Sequence, residues 1–181
     1  MKNKYLFKSQ RLGFRNWEEV DHSLMSEINK NMVVMDFFPS TISKEQTSDF
    51  ILRMQNLFLK KNYCYFAVDH LKDQKLIGFL GLSDQDYEAP FTPCVDIGWR
   101  IHPDYWGQGL ATEGALKCLE YGFNTIHLKN IKAVAPLVNT KSIHLMKKIG
   151  LEYQLDFLHP RLTNYPDLHR CVCYQIDNLS I

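Results

Sequence analysis

Residues Asp96–Glu113 read DIGWRIHPDYWGQGLATE, and this stretch decides the fold. Its start belongs to an apolar segment, Cys94–Ile101, that reads as a strand. A short loop with His102-Pro103 follows, and Trp106-Gly107-Gln108-Gly109-Leu110-Ala111 opens directly into a helix. The first N–H groups of a helix lack partners inside it. Glycines at 107 and 109 strip side chains from the approach to those donors. The bare donors and the positive end of the helix dipole favour an anion such as a pyrophosphate. A strand that stops beside such a helix start makes a site for a phosphate-bearing cofactor.

Spacing excludes two other phosphate motifs. Thr112 stands where the dinucleotide pattern GxGxxG needs its third glycine. No GK[ST] follows, as a P-loop requires. The glycines then mark either a loop–helix anion site beside a strand edge or simply a tight turn.

Outward from this stretch, the chain alternates between the two periodicities. Ser9–Arg15 reads as a first strand. Trp17–Asn31 has helical spacing, with Val20, Leu24, Met25 and Ile28 on one face and Asn16 as its cap. Ser43-Lys44-Glu45-Gln46 matches a capping box, and Phe50, Ile51, Met54, Leu57 and Phe58 continue as an apolar face. Tyr63–Val68 and Leu76–Leu82 read as a strand hairpin, and Ser83–Pro93 as a polar loop. After the strand at 94–101 comes a helix from about Gln108 to Phe123, whose small residues permit close packing on a sheet. Ile131–Ala135 is a strand, Thr140–Ile149 a helix stopped by Gly150, and Leu151–Phe157 and Arg170–Ile176 the last strands. The two late strand–helix–strand units imply parallel pairing by crossover. The expectation is an α/β (α+β) fold in one domain over residues 1–181. A mixed, mostly antiparallel central sheet of about seven strands is flanked by about four helices.

Composition narrows the function. The 181 residues carry a formal net charge of +1, which gives no electrostatic case for nucleic acid or a membrane surface. No apolar run approaches the ~20 residues of a membrane helix. The opening MKNKYLFKSQRLGF has no apolar signal-peptide core. The five scattered cysteines form no CxxC pair, which suits reduced thiols in a cytoplasmic protein. Cys171 and Cys173 read as packing residues, and the seven histidines show no metal-ligand spacing, so no metal is expected.

The motif also carries a family resemblance. Gln/Arg-x-x-Gly-x-Gly/Ala is the acyl-CoA pyrophosphate signature of the GNAT N-acetyltransferases. Here Trp106 takes the first place, followed by Gly107, Gly109 and Ala111. DIGWRIHPDYWGQGLATEG is similar to the RimJ/RimL-type core, which commonly reads EIGWRLHPxYWGxGxATEA. The likeness continues in Arg11-Leu12, Arg15, Ile77–Leu82, Asn139–Ser142, Met146–Leu151 and Asp156–Pro160.

The resemblance implies the GNAT fold and attack of an amine on the thioester of acetyl-CoA. The acceptor is a protein N-terminus or a small-molecule amine, and the protein is a monomer or homodimer. The implied cofactor contacts are Trp106, Gly107, Gln108, Gly109, Leu110, Ala111 and the Thr112 hydroxyl for the pyrophosphate. Ile101 and Asn139 fall to the pantetheine arm. An alkylamine with a pKa near ~10 is mostly protonated at neutral pH, so a base is needed. Asp96 is the candidate, where relatives often carry Glu; the shorter side chain favours a water relay. Its alternative use is a hydrogen bond to a neighbouring strand. Many GNAT enzymes place a tyrosine four residues after the pair at 139 and 142, and here that position is Met146. Ser142 is then the candidate proton donor to the leaving thiolate.

Other residues stay open at this stage. His102 and His159 before their prolines read as structural. Lys147 and Lys148 are either a solvated face or contacts to the cofactor's 3′-phosphate. Asp84, Asp86 and Glu88 are either a solvated loop or an attraction for a cationic acceptor. The segment Arg161–Cys171 departs from relatives that continue Leu-Pro-x-x-His, so their substrate is not inherited. Met146 and the shortened Asp96 keep one rival alive, a non-catalytic acyl-CoA-binding domain.

Overall fold

A computed structural model describes residues 4–178. The elements run β1 (Phe7–Lys8), β2 (Leu12–Arg15), α1 (Asp21–Lys30), α2 (Lys44–Lys61), β3 (Tyr65–His70), β4 (Lys75–Gln85) and β5 (Cys94–Ile101). They continue as α3 (Leu110–Asn124), β6 (Asn130–Pro136), α4 (Thr140–Lys148), β7 (Glu152–Leu158), the one-turn α5 (Pro166–His169) and β8 (Arg170–Asp177). All eight described strands form one sheet in the order β1-β2-β3-β4-β5-β6-β8-β7. Only β5 and β6 pair in parallel, and their register holds a single pair, Asp96 opposite Lys132. Beyond Asp96 the two strands diverge, so a gap opens in the middle of the sheet.

The mixed, mostly antiparallel architecture agrees with the sequence reading, with one more strand and one more short helix. The first crossover, β5–α3–β6, gives the expected parallel pair. The second does not, because β8 inserts between β6 and β7 and pairs antiparallel with both. The last strand buries Cys171–Tyr174 and so takes the interior position, while Glu152, Tyr153 and Gln154 on β7 are exposed at the edge. Ser83–Gln85 belong to β4 rather than a loop, pairing with Cys94–Asp96.

Two N-terminal expectations are also corrected. The segment Ser9–Arg15 is the turn and second strand of a β1–β2 hairpin. Glu113 at the start of α3 draws the turn inward: it accepts from Ser9 Oγ (2.7 Å), Arg11 N (2.7 Å) and Arg11 Nε (2.6 Å). The first helix begins at Asp21, not Trp17. Trp17 is buried and donates its indole N–H to the Tyr65 carbonyl (2.8 Å), which holds the chain off the helical path. The Asn16 side chain accepts from the adjacent Trp17 N–H and so caps no helix. The capping box at Ser43 forms as read, with Gln46 N donating to Ser43 Oγ and Ser43 N to Gln46 Oε1.

The helices divide between the two faces of the sheet. Helix α3 presses its small residues onto β4, where a Cβ at Gly114 would stand 2.7 Å from a Leu80 methyl. Helices α1 and α2 cover the other face, where Phe50 packs against Phe79. Arg15 fastens α1 there. Its buried guanidinium donates to both oxygens of Asp21 and both of Asp69, at 2.6–3.0 Å. Fully paired in this way, the cluster avoids the penalty of an isolated buried charge.

Candidate functional site

The loop between β5 and α3 begins with a proline turn at Pro103–Tyr105, capped by His102 Nδ1 accepting from Asp104 N (3.3 Å). His159 caps the turn at Pro160–Leu162 in the same way, accepting from Arg161 N (3.2 Å). Both histidines therefore do the structural work assigned to them. Gly107 and Gly109 then adopt φ of +71° and +75°, a region that favours glycine, and Gly109 caps α3. A Cβ at Gly107 would meet nothing within 4 Å, so the space in front of the loop is open. Arg11 Nη1 donates to the Gln108 carbonyl (2.9 Å), which ties the loop to the N-terminal hairpin.

A cleft of about 510 Å³ lies over this loop. Ile101, Trp106, Gly107, Gly109, Leu110, Ala111, Thr112, Asn139 and Ser142 all line it. Gln108 does not: its side chain donates back to the Asp104 carbonyl (3.0 Å). Trp106 donates its indole N–H to the Ile101 carbonyl (2.7 Å), so that carbonyl is already engaged. Lys148 lines the cleft and Lys147 does not; Lys141 joins it, with Nζ 5.3 Å from the centre of the Trp106 ring.

A second cleft, of about 950 Å³, opens on the α1–α2 side and includes Asp96, Gly98, Tyr65, Phe79 and Phe50. The two clefts meet at Trp99, Asn139 and Ser142, beside the gap between β5 and β6. Alternation along β5 explains the division. Asp96, Gly98 and Arg100 face α1–α2, whereas Trp99 faces α4 and donates its indole N–H to Ser142 Oγ (3.3 Å). Asn139 caps α4 through Ser142 N (3.1 Å). The Ser142 hydroxyl proton itself has no acceptor among the described residues. Met146 is buried in the core.

Asp96 is part-buried in the second cleft. Tyr65 Oη donates to Asp96 Oδ1 (2.6 Å), and Gln85 Nε2 donates to Tyr65 Oη (3.3 Å). Burial pushes the Asp96 carboxyl up to about 6, and the Tyr65 and Gln85 bonds hold it from rising further. The hydrogen bond to a neighbouring strand and the exposure to the cleft thus coexist at Asp96. An ionised carboxylate with a pKa near neutrality, open to a cleft, can accept a proton from a bound amine.

Sequence reasoning missed the setting of this carboxylate. Tyr65 and Gln85 lie 31 and 11 positions before it, and only register brings them together. Arg100, two strand positions beyond Gly98, also went unread, although period-2 alternation puts it on the Asp96 face. Among the described residues, no three His, Cys, Asp or Glu side chains gather so as to hold a metal ion. Nor, among the described residues, is any helix long and apolar enough to cross a membrane.

A sheet that splays beside a glycine-lined helix start is shared with known acyltransferases. Residues 11–152 match the family described as Acetyltransferase (GNAT) domain, and the chain belongs to that family. It is 29% identical over 144 residues to YnaD of Bacillus subtilis (strain 168), an uncharacterized N-acetyltransferase, covering 79% of this chain and 80% of that one. It superposes on a GNAT-family acetyltransferase from Bacillus anthracis with a TM-score of 0.77 at 26% identity, covering 94% of this chain and 97% of the other. A spermidine N-acetyltransferase from Vibrio cholerae, in complex with CoA and spermine, shares the fold with a TM-score of 0.71 at 19% identity. That likeness covers 93% of this chain and 96% of the other. The chain is an acyltransferase enzyme of this family.

Proposed function

We propose that this enzyme transfers the acetyl group of acetyl-CoA to a primary amine by direct attack in a ternary complex, and that it belongs to the RimJ/RimL-type branch. The observation that carries the reading is the meeting of two clefts at the β5–β6 gap. A glycine-lined helix start opens into one, and a carboxylate poised near neutrality lines the other.

The amides of Gly107–Ala111 and the Thr112 hydroxyl hold the pyrophosphate. The pantetheine arm lies along the edge of β5 that β6 leaves unpaired, with Ile101 and Asn139 beside it. The acceptor amine enters from the α1–α2 side. Asp96 takes its proton, directly or through one water, and the nitrogen lone pair forms the C–N bond. A backbone N–H of β5 steadies the oxyanion. The C–S bond then breaks, Ser142 gives its hydroxyl proton to the sulfur, and the second proton of the nitrogen passes to Ser142, directly or through water, so that its hydroxyl is restored. A thiol has a pKa of about 8.5, so a weak donor in that position suffices.

A thiol-release assay with acetyl-CoA and a panel of amines tests the reading. Turnover of at least one amine is expected. Tight CoA binding with no turnover across the panel would restore the non-catalytic rival.

A further inference from the structure

The acidic residues at the end of β4 and in the loop that follows are the natural place to look for attraction of a cationic acceptor, but they lie outside both clefts. Asp84 accepts from Tyr63 Oη (2.5 Å) and pairs with Lys61 Nζ (2.5 Å). Asp86 lies 3.5 Å from Arg161 Nη2. None of Asp84, Asp86 and Glu88 lines either cleft.

Arg100 presents the opposite charge inside. It is 9% exposed and lines both clefts on the Asp96 face of β5. Nη1 donates to Asn29 Oδ1 (2.6 Å), and Asn29 is held in turn by Thr47 (2.9 Å). The guanidinium carbon lies 4.4 Å from the Phe38 ring centre and 5.3 Å from that of Phe79. Among the described residues Nε, sealed from solvent, has no acceptor, and Nη1 is the only guanidinium nitrogen that makes a hydrogen bond. Among the described residues, no carboxylate stands within ion-pair distance. Burial lowers its pKa to about 10, so it stays cationic at neutral pH. A buried cation with a bare donor edge is costly to keep unless something completes it.

We infer that Arg100 receives a carboxylate of the acceptor, so that the substrate is an amine that also carries an acid group, such as an amino acid or a short peptide, rather than a polyamine. Nε is closed to the cleft, so Nη2 is the donor left for one oxygen of the carboxylate, as a charge-assisted hydrogen bond. On an extended strand the Cα atoms of Asp96 and Arg100 are about 13 Å apart. The acceptor carries its amine and its acid within that span, less the reach of both side chains. The Tyr65 ring fills the space over Gly98 between them, within 2.8 Å of where a Cβ would stand, so the acceptor passes along that ring and not across Gly98 itself. Tyr65, Phe79 and Phe50 wall this passage with stacked and tilted rings.

This inference rests on the acetyltransferase reading, and the experiment separates the two. Thiol release is measured for the wild-type enzyme with amino acids and dipeptides, each beside its own carboxamide, and with spermidine and an aminoglycoside. A free acid is expected to exceed its amide in kcat/KM by about 10- to 100-fold, the range of a hydrogen bond to a charged group. Arg100→Lys, checked for folding by its melting curve, is expected to shrink that ratio through KM and to leave CoA affinity within about twofold. A purely structural arginine would lower acid and amide rates alike. Should the variant not fold, the acid-to-amide ratio of the wild type decides alone. Amides equal to acids, a preference for spermidine, or a CoA affinity that falls with Arg100 would overturn the carboxylate inference and leave the acetyltransferase standing. No turnover of any amine would overturn both.

Discussion

The two clefts differ in what builds them. The cleft over the β5–α3 loop rests on residues 99–112, with their backbone geometry of two glycines at positive φ, a helix start and an unpaired strand edge, and is closed by the segment after α1 and by α4. The cleft that Asp96 lines is assembled from the segment after α1 and from α2, β3, β4, β5 and β6, whose side chains meet only after folding. The contrast teaches that a phosphate site can be a local property of the chain, whereas a selective amine site is a property of the register and packing.

Substitutions on each side can break or sharpen that contrast. The largest effect is expected on the acceptor side. Asp96→Asn should lower kcat by about 10²- to 10⁴-fold, the usual range for a general base, with CoA affinity by calorimetry unchanged. The same carboxyl gives the wild-type enzyme a rising limb in kcat against pH, centred near pH 6, because the acid form cannot accept a proton. Its raised pKa has the opposite consequence for the fold. The stability this group contributes is full below the unfolded value near 4 and is lost as pH rises through about 6. Asp96→Asn should therefore melt higher than wild type above pH 6, and no differently below pH 4. A variant that kept full activity would remove Asp96 from the chemistry.

Gly109→Val comes next. It places a branched side chain at φ +75° in the phosphate approach, and CoA affinity should fall by about 10- to 100-fold for a strain of 1–3 kcal/mol. Unaltered affinity would relocate the anion site. Ser142→Ala should cost about tenfold in kcat, since a thiolate of pKa about 8.5 leaves with little help. A rate that did not move would leave Trp99 as its only partner that matters. Tyr65→Phe removes a bond that favours the Asp96 carboxylate, so the acidic limb should move above pH 6 and the rate at pH 6.5 should drop a few-fold. The smallest change belongs to Gln108→Ala. Its side chain faces Asp104, and CoA affinity should stay within about twofold if backbone alone reads the phosphate.

The sequence revealed these features unevenly, for physical reasons. The β5–α3 strand–loop–helix, the capping box at Ser43 and the amphipathic face of α2 were legible because each is decided by neighbours in the chain. The motif also pointed to Asp96, Asn139 and Ser142, which the fold places along the two clefts, with their chemical roles part of the proposal. The start of α1 was not legible, because a tertiary bond from Trp17 to Tyr65 overrides an otherwise good helical pattern. The place of β8 between β6 and β7 was not, because strand order depends on which strand has the more buried face. Tyr65 and Gln85 were hidden by register, which no single segment contains. Arg100 lay inside the quoted motif, yet its meaning needs Asn29, from a helix about 70 residues earlier.

The gap between β5 and β6 has one further consequence. Without a ligand the protein carries an unpaired strand edge not at the margin of its sheet but through the middle, with one register pair holding the two halves in line. Whatever fills that seam acts as a missing strand. Its concentration then becomes a variable of the protein's own persistence: a ligand at 100 times its dissociation constant adds about 2.7 kcal/mol to the folded state. Amides along the exposed edge of β5 should exchange with solvent in the empty protein and slow when the seam is filled. Hydrogen exchange would then report the cofactor as part of the architecture.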